Sequence, residues 1–326
     1  MSLRRAKRGR VQHSRPYTLL ISVAAVLLLA SCSSGSPAVE PGGSSRTSSN
    51  GPSSSPTTPP QPTTTTTAPE EPGWTTLSTG PRGIAIDERV FPQPDGSQVI
   101  VARFLDNHVD YSLHVGSQDP PTGSAVIGPD SGPSVSSAEQ PLLLACFNGG
   151  FKANANAGGF EVDGQVLVPL SAGLASLVVD TAGVGQVGVW GQGFPATNTQ
   201  VASVRQNLPA LVVGGQPSPL IGDVAAWGDT LGGVPSVARS GLGIDDKGDL
   251  LYAASMSTLP ADLANALISA GANTAMELDI NPEWIHLAIA PTPGAPLLAQ
   301  VPGQNRPADQ CQVGWTRDFI TVLSIG

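Results

Sequence analysis

From residue 73 onward, short apolar runs alternate with glycine- or proline-bearing breaks, the pattern of many short strands. Residues 99–101 form one run, and Val109, Tyr111, Leu113 and Val115 recur at the period of two that gives a strand one apolar face. Residues 141–147 are almost continuously apolar, as in a strand buried on both faces. Residues 160–168 read as a hairpin, because Asp163-Gly164 supplies the positive-φ turn that matches strand twist. Further strands are expected over 174–179, 187–190, 210–213, 237–244, 249–254 and 319–325. One helix stands out: Pro260 falls in its first turn, Leu263 and Leu267 share a face, and Gly271 ends it. With no repeat of fixed period, the expected fold class is α+β, a strand-rich mixed sheet with few helices.

The helix runs straight into a segment of unusual pattern. Met276, Leu278 and Ile280 alternate with Glu277, Asp279 and Asn281, which predicts a strand carrying two carboxylates and an amide on one face. Acids on a packed strand need water, a cation or a substrate opposite them, so this face is either a solvated sheet edge or a site.

The chain's ends are of a different character. Arg4, Arg5, Lys7, Arg8, Arg10 and Arg15 precede an apolar run over 19–30, which is shorter than the roughly 20 residues of a comfortable membrane span. This reads as an export signal over 1–31. Leu29-Ala30-Ser31-Cys32 resembles the lipobox of bacterial lipoproteins, which implies cleavage before Cys32 and its lipidation; an ordinary signal peptide with an incidental cysteine is the alternative. Residues 33–72 are rich in Ser, Thr, Pro and Gly and have almost no large apolar side chains, so 32–72 is expected to be a disordered tether. Residues 73–326 are long enough for one domain with a substantial core.

The whole chain carries 16 Lys+Arg against 25 Asp+Glu; losing the six cations of the signal leaves ten against 25, a formal charge of −15. That balance argues against nucleic acid and against a polybasic membrane grip, and leaves the lipid as the only membrane contact. An anionic ligand would need a locally placed cation. With Cys32 assigned to the lipid, Cys146 and Cys311 remain, an even pair that favours a disulfide in an exported protein; two buried free thiols are the alternative. No Cys/His spacing points to a metal, and His108, His114 and His286 are scattered.

Four segments could carry chemistry: Cys146-Phe147-Asn148-Gly149-Gly150-Phe151 at a strand end, Arg239 within an apolar run, the acidic strand, and Thr316-Arg317-Asp318-Phe319. In this order, FNGGFK, ARSGLGID, DDKGDLLYAA, LANALISAGANTAMELD and TRDF resemble the motifs of the phosphodiester glycosidase family, over roughly residue 141 to the end. Two positions depart from that pattern. Ser240 stands for a threonine, and Ile280-Asn281-Pro282-Glu283-Trp284 replace the family's glycines and serine, so the backbone there cannot approach a ligand in the same way.

Taken with the export signal and lipobox, which imply an extracytoplasmic, lipid-anchored protein, the resemblance implies a hydrolase that cleaves a sugar-1-phosphodiester in an envelope polysaccharide or glycophospholipid. Its leaving group is already a phosphate monoester, so charge stabilisation matters more than protonation. On this reading Arg239 grips phosphate oxygens, and Asp279 or Glu277 acts as base or nucleophile. Asn148, Gly149, Gly150, Asn281 and Arg317 line the substrate. No cofactor is called for, and a divalent cation is left open. A non-catalytic carbohydrate-binding lipoprotein and a purely structural envelope protein are the rival readings.

Overall fold

The computed structural model describes residues 71–228, 230 and 233–326. The expected signal, the lipidated Cys32 and all of the tether but its last two residues lie outside this range. The folded part begins earlier than residue 73: Glu71 accepts from Arg103 Nη1 at 2.8 Å, and its carbonyl accepts from Trp74 N.

The described residues build three sheets. The largest has eight strands in the order Thr75–Gly80, Gly83–Pro92, Gln98–Phe104, Leu250–Thr258, Val237–Ile244, Thr274–Glu277, Val212–Val213 and Gln216–Pro217. A second, of five strands, is centred on Val201–Gln206, between Phe160–Val162 and Ala175–Asp180. The third, also of five, is centred on Leu143–Asn148, between Leu287–Ile289 and Phe319–Ser324.

Every pairing between these named strands is antiparallel. The expected mixed sheet is therefore corrected: the described fold is mostly antiparallel sheet, with two α-helices, Pro260–Ala270 and the short Gln310–Val313. Hairpins and long returns between neighbours need no crossover helix, which is why so little helix is required.

The main core lies where the three sheets face one another, and joins Phe104, Tyr252 and Met276 to Phe147, Ile320, Leu177 and Phe160. A second core lies on the outer face of the large sheet, where the helix Pro260–Ala270 sets Leu263 and Leu267 against Val101, Leu251 and Ala275. The sheet is thus covered on both faces, and its central strand alternates between two cores. Gly241 and Gly243 let the helix approach: a Cβ at Gly241 would stand 3.3 Å from Leu263 Cδ2, and one at Gly243 2.9 Å from Ala272 Cβ. Cys146 and Cys311 form the disulfide, in a third cluster with Trp315 and Phe319.

Candidate functional site

The acidic segment does not keep its expected alternation. The strand ends at Glu277. Leu278 N still donates to Ser240 O at 2.8 Å, but Ser240 N donates at 2.9 Å to Asp279 O and not to Leu278 O. One residue has been gained, as in a bulge, and the bulge re-aims the side chains beyond it. Glu277 and Asp279 therefore do not share a face as a working pair.

Glu277 points into the helix-side core. Its Oε1 accepts from Arg239 Nη1 at 2.7 Å, both side chains are 0% exposed, and its Oε2 has no hydrogen-bond partner. Burial pushes its carboxyl up to about 8, against the pull of Arg239. The Arg239 guanidinium is enclosed, donating also to the carbonyls of Thr258, Trp227 and Pro235. The expected phosphate grip has no access from this position. A buried guanidinium needs a charge or a ligand opposite it, and here Glu277 fills that place.

Asp279 points the other way, into an open cleft of about 540 Å³. It is 4% exposed. Its Oδ1 accepts from Ile280 N at 2.8 Å and Asn281 N at 2.9 Å, and its Oδ2 lies 3.2 Å from Arg317 Nη2. Burial raises its pKa to about 6, while Arg317 and the two backbone donors hold it lower than burial alone would. Arg317 also donates to Gly150 O at 2.7 Å and lies 5.1 Å from the Trp284 ring. Its Nε sits 3.3 Å from Asp119 Oδ2, close enough for an ion pair but without hydrogen-bond geometry. Phe151, Lys152, Asn154, Asn156, Asn281 and Trp284 complete the walls. A smaller space of about 330 Å³ continues past Lys152, Trp284 and Arg317 toward Asp119.

Asn148, Gly149 and Gly150 are brought beside this cleft but do not line it. Asn148 is buried: its Nδ2 donates to Ser240 Oγ at 2.9 Å and Gly149 O at 2.8 Å, and its Oδ1 accepts from Tyr252 Oη at 2.7 Å and His286 N at 3.1 Å. With all its bonds spent, it holds Ser240, which in turn holds the Asp279 backbone. The two glycine N–H groups, expected at a ligand rim, are consumed by Asp318: Gly149 N donates to its carbonyl and Gly150 N to its Oδ2. Glycine is required there by close approach, since a Cβ on Gly149 would fall 1.9 Å from Asp318 Oδ2.

Two residues behind the site, Arg205 and Asn207, stand outside the four segments singled out above, and Arg205 meets Asp318 from the fourth. Arg205, on the strand Val201–Gln206, donates its Nε to Asp318 Oδ2 at 2.7 Å and its Nη2 to Phe151 O, which ties the turn to the C-terminal strand. Asn207 bridges Phe151 N to the carbonyls of Glu277 and Leu278. Asp318 completes the knot. The available signal was the charge of Arg205 at the end of the run 201–204, the same cue that singled out Arg239. Among the described residues no group of three or more His, Cys, Asp or Glu could hold a metal ion.

No family model matches the chain, and no curated protein matches its sequence. Among solved structures it is similar to the catalytic domain of zebrafish N-acetylglucosamine-1-phosphodiester alpha-N-acetylglucosaminidase, auto-inhibited by its pro-peptide. That likeness is at 14% identity and TM-score 0.47, over 78% of this chain and 88% of that one. It is also similar to a hypothetical protein from Synechocystis, at 13% identity and TM-score 0.44, over 74% of this chain and 62% of that one. A Burkholderia pseudomallei protein described as exported matches at 16% identity and TM-score 0.26, over 72% of this chain and 56% of that one.

Proposed function

We propose that the cleft at Asp279 is a hydrolytic site for a sugar-1-phosphodiester of the cell envelope. The observation that carries this reading is one carboxylate, raised to a pKa of about 6, set in an open cleft against a buried guanidinium. Among the described residues, Asp279 is the one acid lining the main cleft. Ordinary glycoside hydrolysis uses two carboxyl groups, one of them to protonate the leaving oxygen. A phosphate monoester leaves without that help, so a single carboxylate is enough for this substrate class.

In the reaction, water attacks the anomeric carbon, its proton passes to Asp279, and the bond from that carbon to the phosphate oxygen breaks. A free sugar and a phosphate monoester result. Arg317 and Lys152 take the charge-stabilising role first assigned to Arg239; Lys152 makes no ion pair among the described residues, and both line the passage between the two spaces. Phe151, Trp284 and the amides of Asn154, Asn156 and Asn281 offer the flat apolar and hydrogen-bonding surfaces that a sugar ring uses.

The test is turnover of a panel of synthetic sugar-1-phosphodiesters by the purified protein, with Asp279→Asn alongside. Release of phosphate monoester that falls at least a hundredfold in Asp279→Asn is expected, the usual scale for loss of a catalytic proton transfer being about 10²–10⁴. Binding without turnover by the unaltered protein would replace this reading with that of a carbohydrate-binding protein.

A further inference from the structure

The smaller space beside the cleft, of about 330 Å³, holds an arrangement that the proposed reaction leaves unexplained. Arg317 lies between two carboxylates. On the cleft side its Nη2 is 3.2 Å from Asp279 Oδ2, and on the other its Nε is 3.3 Å from Asp119 Oδ2. Only the first contact is a hydrogen bond, for Arg317 Nε is buried and has no partner. The Arg317 side chain is 6% exposed, so this donor is cut off from water, and a buried donor without an acceptor is costly. Beside a hollow also lined by Lys152, Gln118, Asn154 and Thr316, such an atom calls for an oxyanion.

Asp119 takes part of that place without filling it. Its backbone is pressed onto the segment that carries Arg317: Ser117 N donates to Trp315 O at 2.9 Å, and Asp119 N to Thr316 O at 3.1 Å. Gly116 permits the approach, since a Cβ there would fall 2.3 Å from Thr316 O. The carboxylate itself is held from elsewhere, by Ala153 N, which lies 3.2 Å from Oδ1 and 3.4 Å from Oδ2. It therefore offsets the guanidinium charge by proximity and leaves the Nε–H unbonded. Among the described residues it is the one acid lining this space. Its side chain is 17% exposed, and a change of rotamer is enough to move it while the backbone stays in place.

We propose that Asp119 is an internal stand-in for the substrate's phosphate: it occupies the Nε side of Arg317 until a phosphate oxygen displaces it and accepts the Nε–H. This rests on the proposed function for the identity of the anion. It puts the phosphate between the two spaces, with the sugar on the Asp279 side and the esterified group on the Asp119 side. Asp119 then sets specificity, because an anionic ligand replaces it where a neutral sugar does not. The consequence is opposite in sign to that of a supporting residue: removing the Asp119 charge strengthens phosphate binding.

Calorimetric titration of the purified protein with methyl phosphate reads this directly. Asp119→Asn keeps an oxygen for Ala153 N and loses the charge, so its unfolding midpoint should be unchanged. It is expected to bind methyl phosphate about three- to fivefold more tightly, the scale of one partly exposed ion pair. Glu283→Gln, which removes an acid that lines neither space, should bind as the unaltered protein does. In an Arg317→Ala background Asp119→Asn should bring no gain, because the group in contention is gone. For any sugar-1-phosphodiester in the panel that is turned over, Asp119→Asn should act on KM, downward, more than on kcat.

Weaker binding by Asp119→Asn overturns the inference and makes Asp119 a support for Arg317. Equal binding overturns it too, as does a gain of the same size in Glu283→Gln or in the Arg317→Ala background, since net charge alone would then explain it. Failure of the unaltered protein and Asp119→Asn alike to bind methyl phosphate has the same effect. Should Arg317→Ala not fold, the comparison of Asp119→Asn with Glu283→Gln still decides. If diesters are hydrolysed while Asp119→Asn shows no gain, the inference falls and the hydrolase reading stands. If none is hydrolysed but the gain is present in Asp119→Asn alone, the hydrolase reading falls and the anion site guarded by Asp119 stands.

Discussion

The protonation of Asp279 rests on a balance that two measurements can separate, on the proposed reading that it is the base. Burial raises its pKa and Arg317 is the strongest force holding it down. A base must be ionised to accept a proton, so kcat/KM should rise with pH along a limb with an apparent pKa near 6. Removing the guanidinium removes the lowering influence, so Arg317→Ala should move that limb to higher pH as well as reduce the rate. A pH–rate profile of each protein checks this, and a limb that stays in place in Arg317→Ala would detach the two groups. The stability sign runs with it: a carboxyl raised in the folded state stabilises fully below its unfolded pKa, and loses that contribution as pH climbs through about 6. The site is therefore held at some cost at neutral pH, as reactive groups commonly are.

At the scale of elements, the bulge between Leu278 and Asp279 sends one acid to the cleft and the other into the helix-side core. Arg239→Ala should act on stability, because it leaves Glu277 buried without its partner; such losses run to about 3–5 kcal/mol. Glu277 escapes part of this by taking up a proton, so the loss measured by urea unfolding should shrink as pH falls. The Cys146–Cys311 bridge ties the strand Leu143–Asn148 to the helix Gln310–Val313, and its removal should cost of the order of 2–5 kcal/mol in the same assay.

What the sequence revealed follows the same division. The Asp163-Gly164 hairpin, the helix ending at Gly271 and the buried strand were legible because local turn chemistry and periodicity decide them. Asp163 and Gly164 indeed have φ of 51° and 71°. The strand Val201–Gln206 was not, since its side chains do not alternate and its place is set by neighbours far along the chain. The bulge was equally hidden: a period of two places Glu277, Asp279 and Asn281 on one face, and only the pairing with Ser240 turns Asp279 away. Arg317 was singled out as a ligand-side residue and lines the cleft, whereas Asn148, Gly149 and Gly150 support it from behind.

For the whole molecule, charge and anchorage bear on the same question of how a substrate is met. The chain beyond its expected signal carries a formal −15, so an anionic phosphodiester is repelled at long range and is held only by cations inside the cleft. A protein held at an envelope ligand by an anchor would not depend on long-range attraction. The disulfide is chemistry of an oxidising compartment, which fits an extracytoplasmic protein. Lipidation at Cys32, outside the described residues, would supply the anchor, because the expected signal is removed and no helix among the described residues is long and apolar enough to cross a membrane. Cys32→Ala should then move the protein from the membrane fraction to the soluble fraction while hydrolysis of a soluble diester by the purified protein is unchanged. Fractionation followed by immunodetection reads the first, and persistence of the signal-cleaved variant in the membrane fraction would show that something other than Cys32 holds it there.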